Sequence, residues 1–233
     1  DALLLSYRHG FHAGNDADVL KHVVLVQLLL QLTKKEAPLW VVDTHAGAGS
    51  YSLEHGYAAR NAEFRNGIGR LWTRGDLPEP VARYVDEVRR VNPDGVLRNY
   101  PGSPQLALQL TRAQDRLRLF ELHGNEGRAL EAHFRDAGRR VAVVAGDGFA
   151  GLKAVLPPPS RRALALIDPS YETRSDYHDV RAAVEDAQKR FATGTYAVWY
   201  PQLQRRESEN LPWQLQRLAI GDWLHASLSV CAP

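Results

Sequence analysis

Asp168-Pro169-Ser170-Tyr171 has the residue types of a grip for a flat base that carries an exocyclic amine. Asp168 can accept one hydrogen of an NH2 group, and the Pro169 carbonyl can accept the other. Tyr171 offers a ring on which a base can stack. Asp, Pro and Ser also make ordinary turns, so the tetrapeptide gains meaning only from what else reaches the same place.

The elements that must position it are strands. Ala163-Leu164-Ala165-Leu166-Ile167 reads as a buried strand ending at Asp168. Leu39-Trp40-Val41-Val42 reads as another, running into Asp43-Thr44-His45-Ala46-Gly47-Ala48-Gly49-Ser50. A Gly-x-Gly turn after a strand lets the backbone approach a ligand closely. A dinucleotide site would need a third glycine opening a helix. Ser52 stands there instead, and no helix pattern follows. Asp43 would repel a pyrophosphate and suits a positively charged cofactor such as S-adenosylmethionine. Arg116-Leu117-Arg118-Leu119-Phe120 leads to Glu121, and Val141-Ala142-Val143-Val144 leads to Asp147-Gly148. Ligands of open α/β sheets bind outside the carboxyl ends of the strands. Glu121 is placed to take two ribose hydroxyls and Asp147 an adenine amine. Each acid alone is an ordinary turn residue or N-cap. Four in register, Asp43, Glu121, Asp147 and Asp168, point to a ligand.

This order of glycine turn, ribose acid, adenine acid and Asp-Pro-x-Tyr resembles a class I methyltransferase acting on an amino group of a base. The amino terminus narrows the resemblance. Residues 6–22, Ser-Tyr-Arg-His-Gly-Phe-His-Ala-Gly-Asn-Asp-Ala-Asp-Val-Leu-Lys-His, closely resemble the start of the RlmJ family, which methylates adenine N6 in 23S ribosomal RNA. Residues 43–49, Tyr100-Pro101-Gly102-Ser103-Pro104, Glu121-Leu122-His123, Asp147-Gly148-Phe149 and Trp199-Tyr200-Pro201 match it too. The resemblance implies an α/β, Rossmann-like, S-adenosylmethionine-dependent fold with an inserted helical subdomain. It places Lys21, His22, His45, Ser103, Glu121, Asp147, Gly148 and Asp168 at the cofactor, beside Asp43 and Gly47 of the glycine turn. Asp168 is also the catalytic position, gripping the amine with Pro169 and Tyr171, and Tyr7 engages the target adenosine. The family usually has Pro where this chain has Ser170, which bears on the rigidity of the loop. Alternatives are methylation of a DNA adenine or a protein glutamine amide, or a non-catalytic RNA-binding or ribosome-assembly protein with the same fold.

Composition sets the bounds. With 233 residues and 44% hydrophobic content, the chain can bury one full core. No apolar run reaches the length of a membrane span. The lone Cys231 excludes an internal disulfide and suits the cytoplasm. A monomer is expected. The spacing of His9, His12, His22 and His45 matches no zinc pattern, so no metal is expected.

Residues 14–36 read as a helix, starting near Asn15 or Asp16 and ending at Lys34-Lys35. Residues 1–51 and 116–233 are expected to form the methyltransferase core. Residues 52–115 are too long for a plain strand–helix–strand link and read as an inserted helical subdomain. The net charge is only +2, but the cations comprise 24 Arg and 5 Lys. Arg60, Arg65, Arg70 and Arg74 recur in the insertion, followed by Arg83, Arg89, Arg90 and Arg98, which makes it a candidate RNA-binding surface or simply a cap on the sheet. Ser227-Leu228-Ser229-Val230 reads as a sixth strand, after which such enzymes usually carry a seventh. With no methionine present, the chain is expected to be incomplete at its ends.

Overall fold

The computed structural model describes residues 9–218 and 221–230. The chain enters a 3-10 turn at His9–Phe11 and then helix α1, Asp16–Leu32. Asn15 caps α1 by accepting the Asp18 amide at 3.0 Å, and Asp16 and Asp18 place negative charge at its positive end. Asp18, His22, Leu25, Val26 and Leu29 recur at helical spacing and form its buried stripe. The Thr33 hydroxyl donates to the Leu29 carbonyl at 2.7 Å and closes the helix short of Lys34-Lys35.

A parallel sheet follows, built from β1 (Trp40–Asp43), β4 (Arg116–Glu121), β5 (Val141–Ala145), β6 (Ala163–Ile167) and β7 (Thr195–Val198). Two short strands, β2 (Ser50–Ser52) and β3 (Asn99–Pro101), lie between β1 and β4 in the chain. The order across the sheet is β5-β4-β1-β6-β7, so the chain reverses direction between β1 and β6. Trp40 pairs with Arg116 on one side and Ala163 on the other, which brings the carboxyl ends of the strands to one edge. β6 is buried along its whole length, as an apolar run without alternation requires.

Helices cover both faces. On one, Leu25 and Leu29 of α1 pack with Val41, Leu117, Leu119 and Leu164. The same cluster takes in α5 (Ser103–Leu110) and α6 (Gly124–His133) through Leu106 and Leu130. On the other, Val42, Ala165 and Ile167 meet α7 (Gly148–Val155), α8 (Ser175–Arg190) and α9 (Arg206–Gln216).

Residues 52–115 hold α2 (Gly56–Asn61), α3 (Ile68–Leu71) and α4 (Glu79–Arg90) as well as α5. Ile68, Tyr84, Val85, Val88 and Tyr100 of this segment share the α1 core cluster. The antiparallel pair β2 and β3 brackets most of the segment, with Tyr51 opposite Tyr100. Three-residue strands are too short to show an alternating pattern, so the pair was not legible in the sequence. The expected strand at Ser227–Val230 is a correction: residues 223–230 have no regular structure, and Leu228 and Val230 are exposed. A Ser-Leu-Ser-Val alternation becomes a strand only beside a partner strand, and none pairs with it among the described residues.

Candidate active site

Asp43 ends β1 with its side chain almost fully buried. Its Oδ2 accepts from the Ser103 hydroxyl at 2.6 Å, and its Oδ1 accepts from the His45 amide at 3.3 Å. Ser103 lies 60 residues away in sequence. It arrives because β3 pairs with β2 and delivers the start of α5 against the glycine turn, where the Gly102 amide donates to the Gly49 carbonyl at 2.9 Å.

The turn itself needs its glycines. Gly47 has φ +61, and a Cβ there would lie 2.2 Å from the Tyr51 hydroxyl oxygen. At Gly148 a Cβ would lie 1.8 Å from the Thr44 carbonyl oxygen, so α7 can start against the turn only without a side chain at that position. The Gly47 amide donates to Glu121 Oε2 at 2.8 Å, and the His123 amide donates to Oε1 at 2.7 Å. Both oxygens keep a further lone pair for ligand hydroxyls. Asp147 is exposed and caps α7 by accepting the Phe149 amide at 2.9 Å. The N-cap role and the expected ligand role use different oxygens and coexist.

His45 sits among these acids. Its Nδ1 lies 2.8 Å from the Thr44 hydroxyl, and its ring meets Phe149 edge-on at 5.1 Å. Burial pushes the imidazole down, against the upward pull of the Asp168, Glu121 and Asp147 carboxylates. Asp43 ends β1, Glu121 ends β4, and Asp147 and Asp168 follow β5 and β6, so the four acids share the carboxyl edge of the sheet.

Asp168 accepts from Lys21 Nζ at 2.6 Å, and the same ammonium lies 3.0 Å from the buried Asp18. Asp18 also accepts the Gly14 amide at 3.0 Å. Sequence reasoning assigned Asp18 no role. Only the spacing Asp18-x-x-Lys21 on one helix face could have suggested the pair. The Lys21 ammonium lies 6.0 Å from the Trp199 ring centroid.

Two expected residues are placed differently. His22 stands beside the buried tyrosines of the insertion. It is fully buried, with Nδ1 2.7 Å from the Tyr100 hydroxyl, which in turn lies 2.9 Å from the Tyr84 hydroxyl. Tyr171 does not present an open ring: it is 3% exposed, packs on Tyr177 at 4.7 Å and donates to the Trp199 carbonyl at 2.5 Å. Stacking on a base is therefore closed to it in this conformation. Its backbone has φ +54, an unfavourable value for an aromatic residue, held by that hydrogen bond and that packing. Pro169 is buried and Ser170 exposed. Tyr7 lies outside the described residues. Among those described, no group of three or more His, Cys, Asp or Glu side chains gathers to hold a metal, and no helix is long and apolar enough to cross a membrane.

Burial raises Asp43 to about 6, with the Asp168 charge adding to the effect and the Ser103 hydrogen bond opposing it. An acid raised in this way stabilises the fold while protonated. That contribution is complete below the ordinary value of 3.8 and is lost as pH rises through about 6. Above neutrality the ionised, buried carboxylate therefore costs the fold about 3 kcal/mol. Asp43→Asn keeps an oxygen for Ser103 and removes the charge. Its melting temperature should exceed that of the wild type by roughly 6–12 °C above pH 7, the two converging near pH 4. Equal melting temperatures across that range would show that the site tolerates the Asp43 charge without cost.

A glycine turn at the switch of a parallel sheet, edged by acids, defines a Rossmann-like methyltransferase. The family model described as "Ribosomal RNA large subunit methyltransferase D, RlmJ" matches residues 36–233, and the chain belongs to that family. The chain is 46% identical over 228 residues to "Ribosomal RNA large subunit methyltransferase J" of Haemophilus influenzae, covering 97% of this chain and 81% of that protein. It is 45% identical over 227 residues to the Escherichia coli protein of the same name, with the same coverage. The crystal structure of a Legionella pneumophila protein matches with a TM-score of 0.82 at 39% identity, over 89% of this chain and 76% of that one.

Proposed function

We propose that this protein transfers a methyl group from S-adenosylmethionine to N6 of an adenine in 23S ribosomal RNA, acting as a cytoplasmic monomer. The observation that carries the reading is that Asp43, Glu121, Asp147 and Asp168 lie at the carboxyl ends of neighbouring parallel strands, in a chain of the RlmJ family. The donor set fits the cofactor. Four carboxylates around a close-approach glycine turn suit a sulfonium cation with ribose hydroxyls and an adenine amine, and they would repel a pyrophosphate.

S-adenosylmethionine, when bound, supplies an electrophilic methyl group. The chain's own residues do the positioning. Asp168 and the Pro169 carbonyl accept the two N6 hydrogens of an extruded adenine, which orients the nitrogen lone pair. Lys21 holds Asp168 Oδ2 and leaves Oδ1 to the amine. Trp199, half-buried at the edge of the Lys21–Asp168 pair, is the aromatic we assign to the base in the conformation described. The methylated nitrogen is acidic and sheds its proton without a strong base. We assign the core to 1–51 and 116–233, and to the 52–115 insertion the task of closing the glycine turn through β2 and β3.

The test is transfer of labelled methyl to large-subunit ribosomal RNA, with the product nucleoside identified by mass spectrometry. Label on N6-methyladenosine supports the reading. Label on another nucleoside, on DNA or on a glutamine amide overturns it. Cofactor placement has its own check. Glu121→Ala should weaken S-adenosylmethionine binding by on the order of 1.5–3 kcal/mol in calorimetry, since a charged hydrogen-bond partner is lost. Unchanged affinity would remove Glu121 from the cofactor site.

A further inference from the structure

Most arginines of the insertion are paired with acids of the same segment. Residues 52–110 hold eight arginines against seven acids. Arg74, Arg83, Arg89, Arg90 and Arg98 are each ion-paired, with Asp76, Glu79, Asp86, Glu87, and both Glu54 and Asp94, respectively. The unbalanced charge lies at the amino-terminal edge of the parallel sheet, opposite the acids of the active site. Four segments meet there: 33–38 after α1, 111–118 leading into β4, 139–140 before β5 and 161–162 before β6.

Backbone pairing fixes their proximity. The Trp40 amide donates to the Arg162 carbonyl and the Arg116 amide to the Leu39 carbonyl, each at 3.0 Å. Arg112 donates to the Lys35 carbonyl at 2.7 Å, and Arg162 to the Leu32 carbonyl at 2.6 Å. Arg140 donates to the Thr111 carbonyl at 3.0 Å. These guanidiniums tie the segments together, yet carbonyls leave their charge uncancelled.

The four segments hold nine cations and two acids, Glu36 and Asp115. The whole chain nets +2. An excess of seven here leaves an excess of five negative charges on all other residues. Among the described residues, only Arg112 of the nine forms an ion pair, with Asp115 at 2.9 Å. Lys34, Lys35, Arg139 and Arg161 are exposed. Arg118 lies over the Trp40 ring at 4.2 Å, and burial and the neighbouring Arg116 charge push its guanidinium down. Like charges crowded without counter-charges favour a polyanion, and planar guanidiniums match phosphate oxygens.

We infer that this edge is a second RNA-binding face, which holds phosphates of the substrate RNA away from the target adenine. Arg162 and Asp168 are six residues apart along β6, which sets the face about 20 Å from the grip. The RNA is then held by its backbone at the basic edge while the acidic edge receives one unstacked nucleotide. This division suits a site whose own carboxylates repel phosphate. The inference rests on the reading that RNA is the substrate, but its test measures binding and not transfer.

The test compares wild type with Lys34→Ala/Lys35→Ala/Arg139→Ala/Arg161→Ala, in binding to an in-vitro large-subunit ribosomal RNA transcript between roughly 50 and 200 mM salt. The quadruple variant should bind about tenfold or more weakly, and its log–log salt slope should be shallower by about 3, since each lost phosphate contact removes 0.7–0.9. S-adenosylmethionine affinity should be unchanged. Glu36→Lys guards against a folding defect, because it adds a cation to the same edge. It should tighten binding and steepen the slope by about 0.7–0.9. Unaltered slopes in both variants overturn the assignment. So does a loss confined to phosphatidylserine vesicles with RNA binding intact. Altered slopes with no N6-methyladenosine formed would overturn the proposed reaction and leave the RNA face standing.

Discussion

Asp168→Ala should lower methyl transfer to RNA by about 10³-fold or more while leaving the fold intact. The variant removes one of two acceptors for the amine, so the N6 lone pair loses its orientation toward the methyl group. The fold survives because Lys21 keeps Asp18 at 3.0 Å, and no buried cation is left alone. Asp168 itself is partly exposed, at 16% of its side chain, so its loss opens no core cavity. Asp168→Asn supplies the control. It retains one acceptor oxygen in the same shape and should keep more activity than the alanine variant. Single-turnover rates, cofactor affinity and melting temperature measured on the same samples separate the effects. Near wild-type turnover by Asp168→Ala would sink the grip. A fall in cofactor affinity matching the fall in rate would place Asp168 in binding alone.

The strand ends were legible because parallel strands buried on both faces read as plain apolar runs, and the residue after each run sits at one edge. β6 with Asp168 and β1 with Asp43 show this directly. Contacts that cross the chain were less legible. Ser103 reaches Asp43 only through the β2–β3 pair, and Lys21 reaches Asp168 across 147 residues. No periodicity encodes either contact. The resemblance named Lys21 and Ser103 as cofactor positions; in the structure Lys21 pairs with Asp18 and Asp168, and Ser103 donates to Asp43. Tyr171 was misplaced for a different reason. Residue type says that an aromatic can stack, whereas only packing says whether its face is open: Tyr177 packs on the ring and the Trp199 carbonyl takes its hydroxyl. Counting cations along the sequence also hides the acids beside them: five of the insertion's arginines, from Arg74 to Arg98, pair with acids of the same segment. The basic edge is assembled from four short segments that no window along the sequence brings together.

Lys21→Met should cost both stability and catalysis, and the two losses can be separated. The ammonium is 7% exposed and lies between two carboxylates, Asp18 at 3.0 Å and Asp168 at 2.6 Å. Removing it takes the counter-charge from the buried Asp18, which also accepts the Gly14 amide at 3.0 Å. Breaking a buried pair by deleting one partner costs about 3–5 kcal/mol, or roughly 10 °C in melting temperature for a chain of this size. If Lys21 only neutralised Asp18, restoring neutrality would restore the enzyme. Lys21→Met/Asp18→Asn performs that restoration, since the amide oxygen can still accept the Gly14 N–H. The double variant should regain most of the melting temperature. Methyl transfer should stay about 10²-fold down, because Asp168 would still lack the cation that fixes its Oδ2 and turns Oδ1 to the amine. Lys21→Arg should also stay slow, since a planar fork cannot replace a point charge wedged between two carboxylates. Melting curves and single-turnover rates of the three variants decide the matter. Activity that returns with stability in the double variant would make Lys21 a structural counter-charge for Asp18 and remove it from the reaction.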